Sequence, residues 1–362
     1  MNRLILIGNG FDLAHGLKTS YKDFIASYFS NAINRIYLNR PYEDELIQIT
    51  LKRGQYYQPL PNDRISTENS LEKFREILNG TDIFDLMFKS LVLKNSFQQI
   101  ESMNWVDLEI EYFKVLLATK YGYKNNDQLE AIQKVNTQFD FLKEKLKEYL
   151  LEQEASLSTS FDLKPLVDCF TEPIQAQEVV TTNLSENQKP ENLFFLNFNY
   201  THTFEPYFDA CRAEIPSEFD YIHGDLQEQH GSMIFGFGDE LDKNYLEFED
   251  EKNNELFKHI KSFEYLKNKN YYRLIRFIES GDFQVQIYGH SCGLSDRTML
   301  NQIFEHQNCK SIKMFYHQKP DGTNDYTEKT YEISRHFKDK GMMRKKIVPF
   351  DYCRPMPQPK IE

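Results

Sequence analysis

Four short apolar runs, each cut off by small polar residues, constrain the fold of this chain more than any other feature. Leu4–Ile7 stops at Gly8-Asn9-Gly10, Leu193–Phe198 at Asn199-Tyr200-Thr201, Tyr221-Ile222 at His223-Gly224-Asp225, and Phe283–Tyr288 at Gly289-His290-Ser291. Short runs that are apolar on both sides fit strands buried on both faces, as in a parallel sheet covered by helices. A helical pattern follows Gly10, others cover Asp296–His306 and Tyr326–Lys338, and Met233–Phe235 and Ser311–His317 read as further strands. Strand, turn and helix in repetition mark an α/β fold, in which the carboxyl ends of the strands line a shared ligand crevice. The expectation is a Rossmann-like, doubly wound parallel sheet.

The stretch between the first two runs has a different periodicity. Leu71–Leu78, Ile83–Leu93 and Trp105–Leu117 read as helices, and the strongest is Leu129–Leu150. There Leu129, Ile132, Val135, Phe139, Leu142, Leu146 and Tyr149 form one stripe against a Lys/Glu face, which predicts an amphipathic core helix, or else a dimer seam. Residues 30–60 are mixed and turn-rich, 172–192 read as a loop, and 240–280 as a second helical stretch. The expected organisation is a nucleotide-binding core over 1–30 and 193–347, a helical insertion over 31–192 after the first strand–helix unit, and an irregular, proline-rich tail over 348–362.

Bulk properties close off several classes. A chain of 362 residues with 40% hydrophobic and 14% aromatic residues can bury a large core. A net charge of −12 argues against a generic nucleic-acid coat and leaves room only for a local basic patch. No apolar run is long enough to span a membrane, and no cationic segment with a signal core opens the chain. Cys169, Cys211, Cys292, Cys309 and Cys353 are scattered, without a C-x-x-C pair. That rules out a zinc ribbon and fits reduced thiols in a cytoplasm.

Several residues carry candidate chemistry. Gly8 and Gly10 permit a tight turn and close approach of a phosphate to a helix N-terminus. The dinucleotide fingerprint is incomplete, with Leu13 in the third glycine's place, and no G-K-[ST] follows to make a P-loop. Asp12 is expected to cap the helix, yet its carboxylate would repel a pyrophosphate unless a metal or a ribose hydroxyl intervened. Asn199 and His223 stand just past strands, where reacting groups are presented to the crevice. Thr181-Thr182-Asn183 looks similar but sits in polar sequence and is discounted. Gly289–Gly293 matches the G-x-S-x-G nucleophile elbow, with Asp321 or Asp325 and His336 available to complete a triad. Asp107 and Glu111, four apart on a helix, could share a metal. His259, His306, His317 and His336 lack ligand spacing.

Taken together, "LILIGNGFDLAHGLKTSYKDF", "NWVDLEIEY", "FLNFNYTHTFE", "YIHGD", "IFGFGDE" and "YGHSCGLSDRTML" resemble the bacterial abortive-infection AbiH family of phage-defence proteins, nearly end to end. The same blocks are similar, more distantly, to the sirtuin-like superfamily that cleaves NAD at the nicotinamide–ribose bond. Its G-A-G-x-S opening, followed by G-L-P-T-W, resembles Gly8-Asn9-Gly10-Phe11-Asp12 followed by Gly16 and Thr19. Its T-T-N-Y-D block resembles Phe198–Glu205, its H-L-H-G block Tyr221–Gly224, and its late G-x-S-x-x-D block Gly289-His290-Ser291 with Asp296. The resemblance implies NAD or a related nucleotide as substrate, Asn199 and His223 as catalytic residues, no metal, and Gly289–Ser291 as a ribose or phosphate turn instead of an elbow. The expected partners are the nucleotide and either a second copy of the chain or a phage-derived trigger. Asn9, Asp12 and Thr201 replace the superfamily's alanine, serine and aspartate, and its four-cysteine zinc module is missing, so protein deacylation is not expected. A nucleotide-binding sensor without catalysis and a metal-dependent nuclease are the alternatives.

Overall fold

The computed structural model describes residues 1–38, 41–55, 65–80, 83–101, 103, 105–157, 160–181, 184 and 186–359. Thr182 and Asn183 of the discounted motif lie outside them. In chain order the strands are β1 (Asn2–Ile7), β2 (Tyr42–Glu43), β3 (Ile47–Leu51), β4 (Phe84–Phe88), β5 (Leu193–Asn197), β6 (Ser217–Tyr221), β7 (Phe283–Tyr288), β8 (Cys309–Tyr316) and β9 (Arg354–Pro355). The chain divides into two compact units.

The first unit, Met1–Leu17 with Glu152–Leu246 and Ile260–Glu362, holds a six-stranded sheet in the order β6-β5-β1-β7-β8-β9. Every pairing is parallel. Renumbered within the sheet this is 3-2-1-4-5-6, the doubly wound order, with its switch point between β1 and β7. All residues of β1 and β7 are buried, because both faces are covered. Leu4 and Leu6 join Val285, Ile287, Leu274, Leu300 and Ile333 in one apolar cluster, whereas Ile5 and Ile7 join Phe195, Phe170 and Tyr207 in another. That period-2 split assigns helices 270–279, 297–305 and 326–335 to one face, and 164–171 and 205–212 to the other.

Polar residues inside this sheet are matched to one another. Arg3, fully buried, donates to the Phe170 and Glu172 carbonyls at 2.7 Å each and to Gln284 Oε1 at 3.0 Å. Lys313 Nζ lies 2.8 Å from Glu172 and 2.6 Å from Glu178. These ion pairs anchor Glu172 and Glu178 in the stretch expected to be a loop, whose described residues hold only the short helical turn Ala176–Glu178 and a bridge from Ile174 to Gln188.

The second unit comprises Lys18–Leu151 and Glu247–His259, where the sequence led us to expect an insertion over 31–192. Its helices include 21–36, 67–78, 91–98 and 105–122, and the long helix Asn125–Ala155 enters it up to Leu151. The predicted stripe is buried from Ile132 to Tyr149, but Leu129 is 41% exposed. Aromatic rings fill the interior: Phe29 stacks on Phe74 at 3.5 Å and Tyr112 on Phe139 at 4.1 Å.

Five expectations of detail change. The region read as helix over Ile83–Leu93 is strand β4, followed by a helix from Leu91; Phe84, Leu86 and Phe88 alternate with Asp85 and Met87, a period of two. The turn-rich 30–60 region contributes β2 and β3, so an antiparallel sheet in the order β2-β3-β4 stands inside the mainly helical unit. Met233–Phe235 is not a strand; Ile234 N donates to His223 O at 2.7 Å, tying it to the loop after β6. The tail is not wholly irregular, because β9 pairs with Phe315 and Tyr316 of β8. The 240–280 stretch is broken into short helices, of which Asn270–Glu279 is the longest.

Candidate functional site

The loops after β1, β5, β6 and β7 meet at the switch point. Gly8 N donates to Tyr288 O at 3.0 Å and Gly10 N to Gly289 O at 2.8 Å, locking the first turn against the one after β7. The glycines are there for this contact. A Cβ on Gly8 would meet His290 Cα at 2.4 Å, one on Gly10 would meet Gly289 Cα at 2.8 Å, and one on Gly289, at φ +67°, would meet Phe11 N at 2.2 Å. The close approach expected of a phosphate is thus made by the protein's own backbone.

Four of the residues singled out in the sequence converge here with two that were not. His223 Nε2 lies 3.1 Å from Asp296 Oδ1, and His290 Nε2 faces Asp296 Oδ2 at 3.7 Å. The Lys261 ammonium donates to Asp296 Oδ1 at 2.9 Å, and Tyr265 OH is 3.1 Å from His223 Nε2. Asn199 donates from Nδ2 to Gly8 O at 3.0 Å, which leaves its Oδ1 as an acceptor. All are at least nine-tenths buried.

Burial would raise the Asp296 carboxyl, but Lys261 and His223 outweigh it and hold the group well below the usual carboxylate range. Burial, reinforced by Lys261, lowers His223 below its ordinary 6.5 against the pull of Asp296, and burial likewise lowers His290. Both imidazoles are therefore neutral at pH 7, and their tautomers follow from their partners. The Cys292 amide donates to His290 Nδ1 at 3.0 Å, so the His290 proton sits on Nε2. A carboxylate only accepts, so His223 also carries its proton on Nε2, leaving Nδ1 with the lone pair. This Nδ1 is the basic atom of the site, aimed by Asp296.

Asp12 is not the helix cap. It lies within the helix Asn9–Ala14, whose N-cap is Gly8, and its Oδ2 accepts from Thr201 Oγ1 at 2.6 Å while Oδ1 makes no close hydrogen bond among the described residues. Burial pushes its carboxyl up to about 7, with Thr201, Thr203 and Asn199 opposing. Near neutrality the group is half protonated, which weakens the repulsion expected toward a phosphate.

The remaining expected site residues are dispersed. Phe11 is core, packed edge-on to Tyr207 at 5.5 Å. Asn9 is half-buried at the start of its helix, and Gly16 is exposed at φ +82° with open space around it. Thr19 belongs to the other unit, where its carbonyl accepts from Trp105 Nε1. Gly224, at φ +74°, packs against Ser232 O. Ser291 is exposed, and His336 Nε2 reaches the Cys292 carbonyl at 2.7 Å. Glu111 Oε1 accepts from Asn95 at 2.7 Å, and among the described residues no group of three or more His, Cys, Asp or Glu is placed to hold a metal ion. Lys261 and Tyr265 escaped sequence reading because they lie in a polar stretch that resembles a solvated helix.

A family model described as "Bacteriophage abortive infection AbiH" matches residues 4–318. The chain belongs to this family. Membership places this AbiH protein among the phage-defence proteins of abortive infection, and the matched span includes all six residues of the buried cluster. No curated protein matches the chain. Among the described residues no helix of the AbiH chain is long and apolar enough to cross a membrane.

Proposed function

We propose that this AbiH-family protein defends against phage by hydrolysing NAD, or a related nucleotide, at the N-glycosidic bond. The observation that carries the reading is the His223–Asp296 pair, joined from the loops after β6 and β7, with Asn199 on the turn after β5 bonded to Gly8 O. The distant sirtuin-like motif order supports NAD as the nucleotide. In this reaction the ribose C1′–nitrogen bond breaks, nicotinamide leaves with the bonding pair, and water adds to C1′. His223 Nδ1 takes the water proton, Asn199 Oδ1 orients the water or a ribose hydroxyl, and Asp296, fixed by Lys261 and His290, aims the base.

The test is nicotinamide release from NAD by purified protein, alone and with phage-infected lysate. His223→Ala is expected to lower turnover by roughly 10²–10⁴-fold. Full turnover by that variant, or none by the wild type in either condition, would overturn the reading. The alternative reading is a nucleotide sensor without catalysis. Stoichiometric retention of NAD without nicotinamide release would select it.

A further inference from the structure

The opposite ends of the same strands carry a surface of different character. A groove of about 860 Å³ opens beside the first residues of β1, β5 and β6, at Asn2, Leu193 and Ser217. One wall is the helix Asn270–Glu279 with the residue before it, where Lys269, Arg273 and Arg276 recur at i, i+4 and i+7 and so share a face. Arg212 adds a fourth cation to the lining, against the single carboxylate of Glu218. In a chain of net charge −12 this is a local reversal of sign.

Two of these cations are already engaged. Arg273 is clamped by Asp220 at 2.8 Å and Glu218 at 3.2 Å, and Arg212 pairs with Asp209 at 3.1 Å. The side chains of Lys269 and Arg276 make no hydrogen bond or ion pair among the described residues, though the Lys269 charge is felt by Asp220. Between them in sequence stands Tyr272, 66% exposed, a flat ring at the groove's edge. Uncharged polar groups border the other side: Asn192 donates to Asn2 at 2.9 Å and Asn2 to Ser280 at 3.4 Å. Beyond them the adjoining trough carries Glu191 and Asp282, which restricts anionic groups to the Lys269–Arg276 side.

We propose that this groove is a second binding site, one that takes a nucleotide unit by its phosphates and its base, either free or within a single strand. Unneutralised cations in one helical stripe repel each other and gain from a bound anion. A basic groove with an exposed aromatic ring is the chemistry that holds phosphates and stacks bases. An acidic peptide or bare polyphosphate would use the cations but not the ring of Tyr272. The site is separate from the crevice and does not depend on hydrolysis there.

The experiment is fluorescence anisotropy of the full chain with a labelled ten-residue oligothymidylate and, separately, a fluorescent ATP analogue, at rising salt. Two free cations predict a log–log salt slope of roughly −1.4 for the strand. The double variant Lys269→Glu/Arg276→Glu should weaken binding at least tenfold, and Tyr272→Ala by roughly tenfold; each should keep the wild-type melting temperature. Tighter binding of the strand identifies a nucleic-acid ligand, and tighter binding of the ATP analogue a free nucleotide. His223→Ala should bind like the wild type, so failure of the hydrolysis reading leaves this result intact. No binding at low salt, or equal competition by inorganic polyphosphate with Tyr272→Ala silent, would overturn the proposal.

Discussion

Asp296 serves a lysine and two histidines at once, and its removal should be felt through the charge it leaves behind. With Asn in its place the Lys261 ammonium, 1% exposed, loses the carboxylate 2.9 Å from it. Breaking such a buried pair from one side costs about 3–5 kcal/mol, whereas replacing both partners is nearly neutral. Asp296→Asn should therefore lower urea-unfolding stability by that amount, and adding Lys261→Met should restore most of it without restoring nicotinamide release. Asp12 gives a pH-dependent counterpart. Below about pH 4 its carboxyl is protonated in both folded and unfolded chains; between 4 and 7 only the unfolded chain ionises, so stability falls as pH rises through this window. Moving the carboxyl from 3.8 to about 7 amounts to roughly 4 kcal/mol, and Asp12→Asn should flatten the stability–pH curve by about that much in pH-series denaturation. Asn199 and His223 could be found in sequence because each directly follows an apolar run. Thr201, the partner that decides what Asp12 does, lies 189 residues from it, and no local pattern links the two.

The turns after β1 and β7 behave as a single joint, and this sets how substitutions there should act. Gly289→Ala combines a left-handed backbone, costing about 1–2 kcal/mol, with overpacking against Phe11 N, costing about 1–3 kcal/mol more. Gly16→Ala carries only the first of these, since nothing lies within 4 Å. Thermal melting should separate them, with Gly289→Ala the more damaging; equal shifts would mean the joint is looser than its contacts. The strands of the parallel sheet could be read from sequence because both faces are buried and the runs are apolar throughout. Strand β4 was misread because it alternates buried and exposed positions over only five residues, which helical periodicity mimics when the next helix starts three residues later. Lys261 follows Ile260, whose bridge to Phe237 holds the backbone, a long-range pairing that a lysine-rich stretch does not announce.

Over the whole chain, the two units should unfold with separable signals. The only tryptophan, Trp105, packs on Tyr21 and Phe24 within the second unit, so its fluorescence reports that unit alone. Urea titrations followed by tryptophan emission and by far-UV circular dichroism should give non-coincident midpoints; coincidence would mean one cooperative block. The doubly wound class was readable from four strand ends, but the partition was not. The helix Asn125–Ala155 runs past Leu151, where the second unit ends, without a break in its pattern, and Glu247–His259 belongs to the second unit although its sequence neighbours on both sides belong to the first. The topology also has a consequence in time. Asn2 of β1 pairs with Phe283 of β7, a separation of 283 − 2 = 281 residues. At a synthesis rate of roughly 5–20 residues per second, the first strand waits about 14–56 s for the neighbour that closes the crevice. Through that interval the β7 edge of β1 has no partner and there is no crevice, so only chains synthesised past Asp296 can carry out what the crevice does.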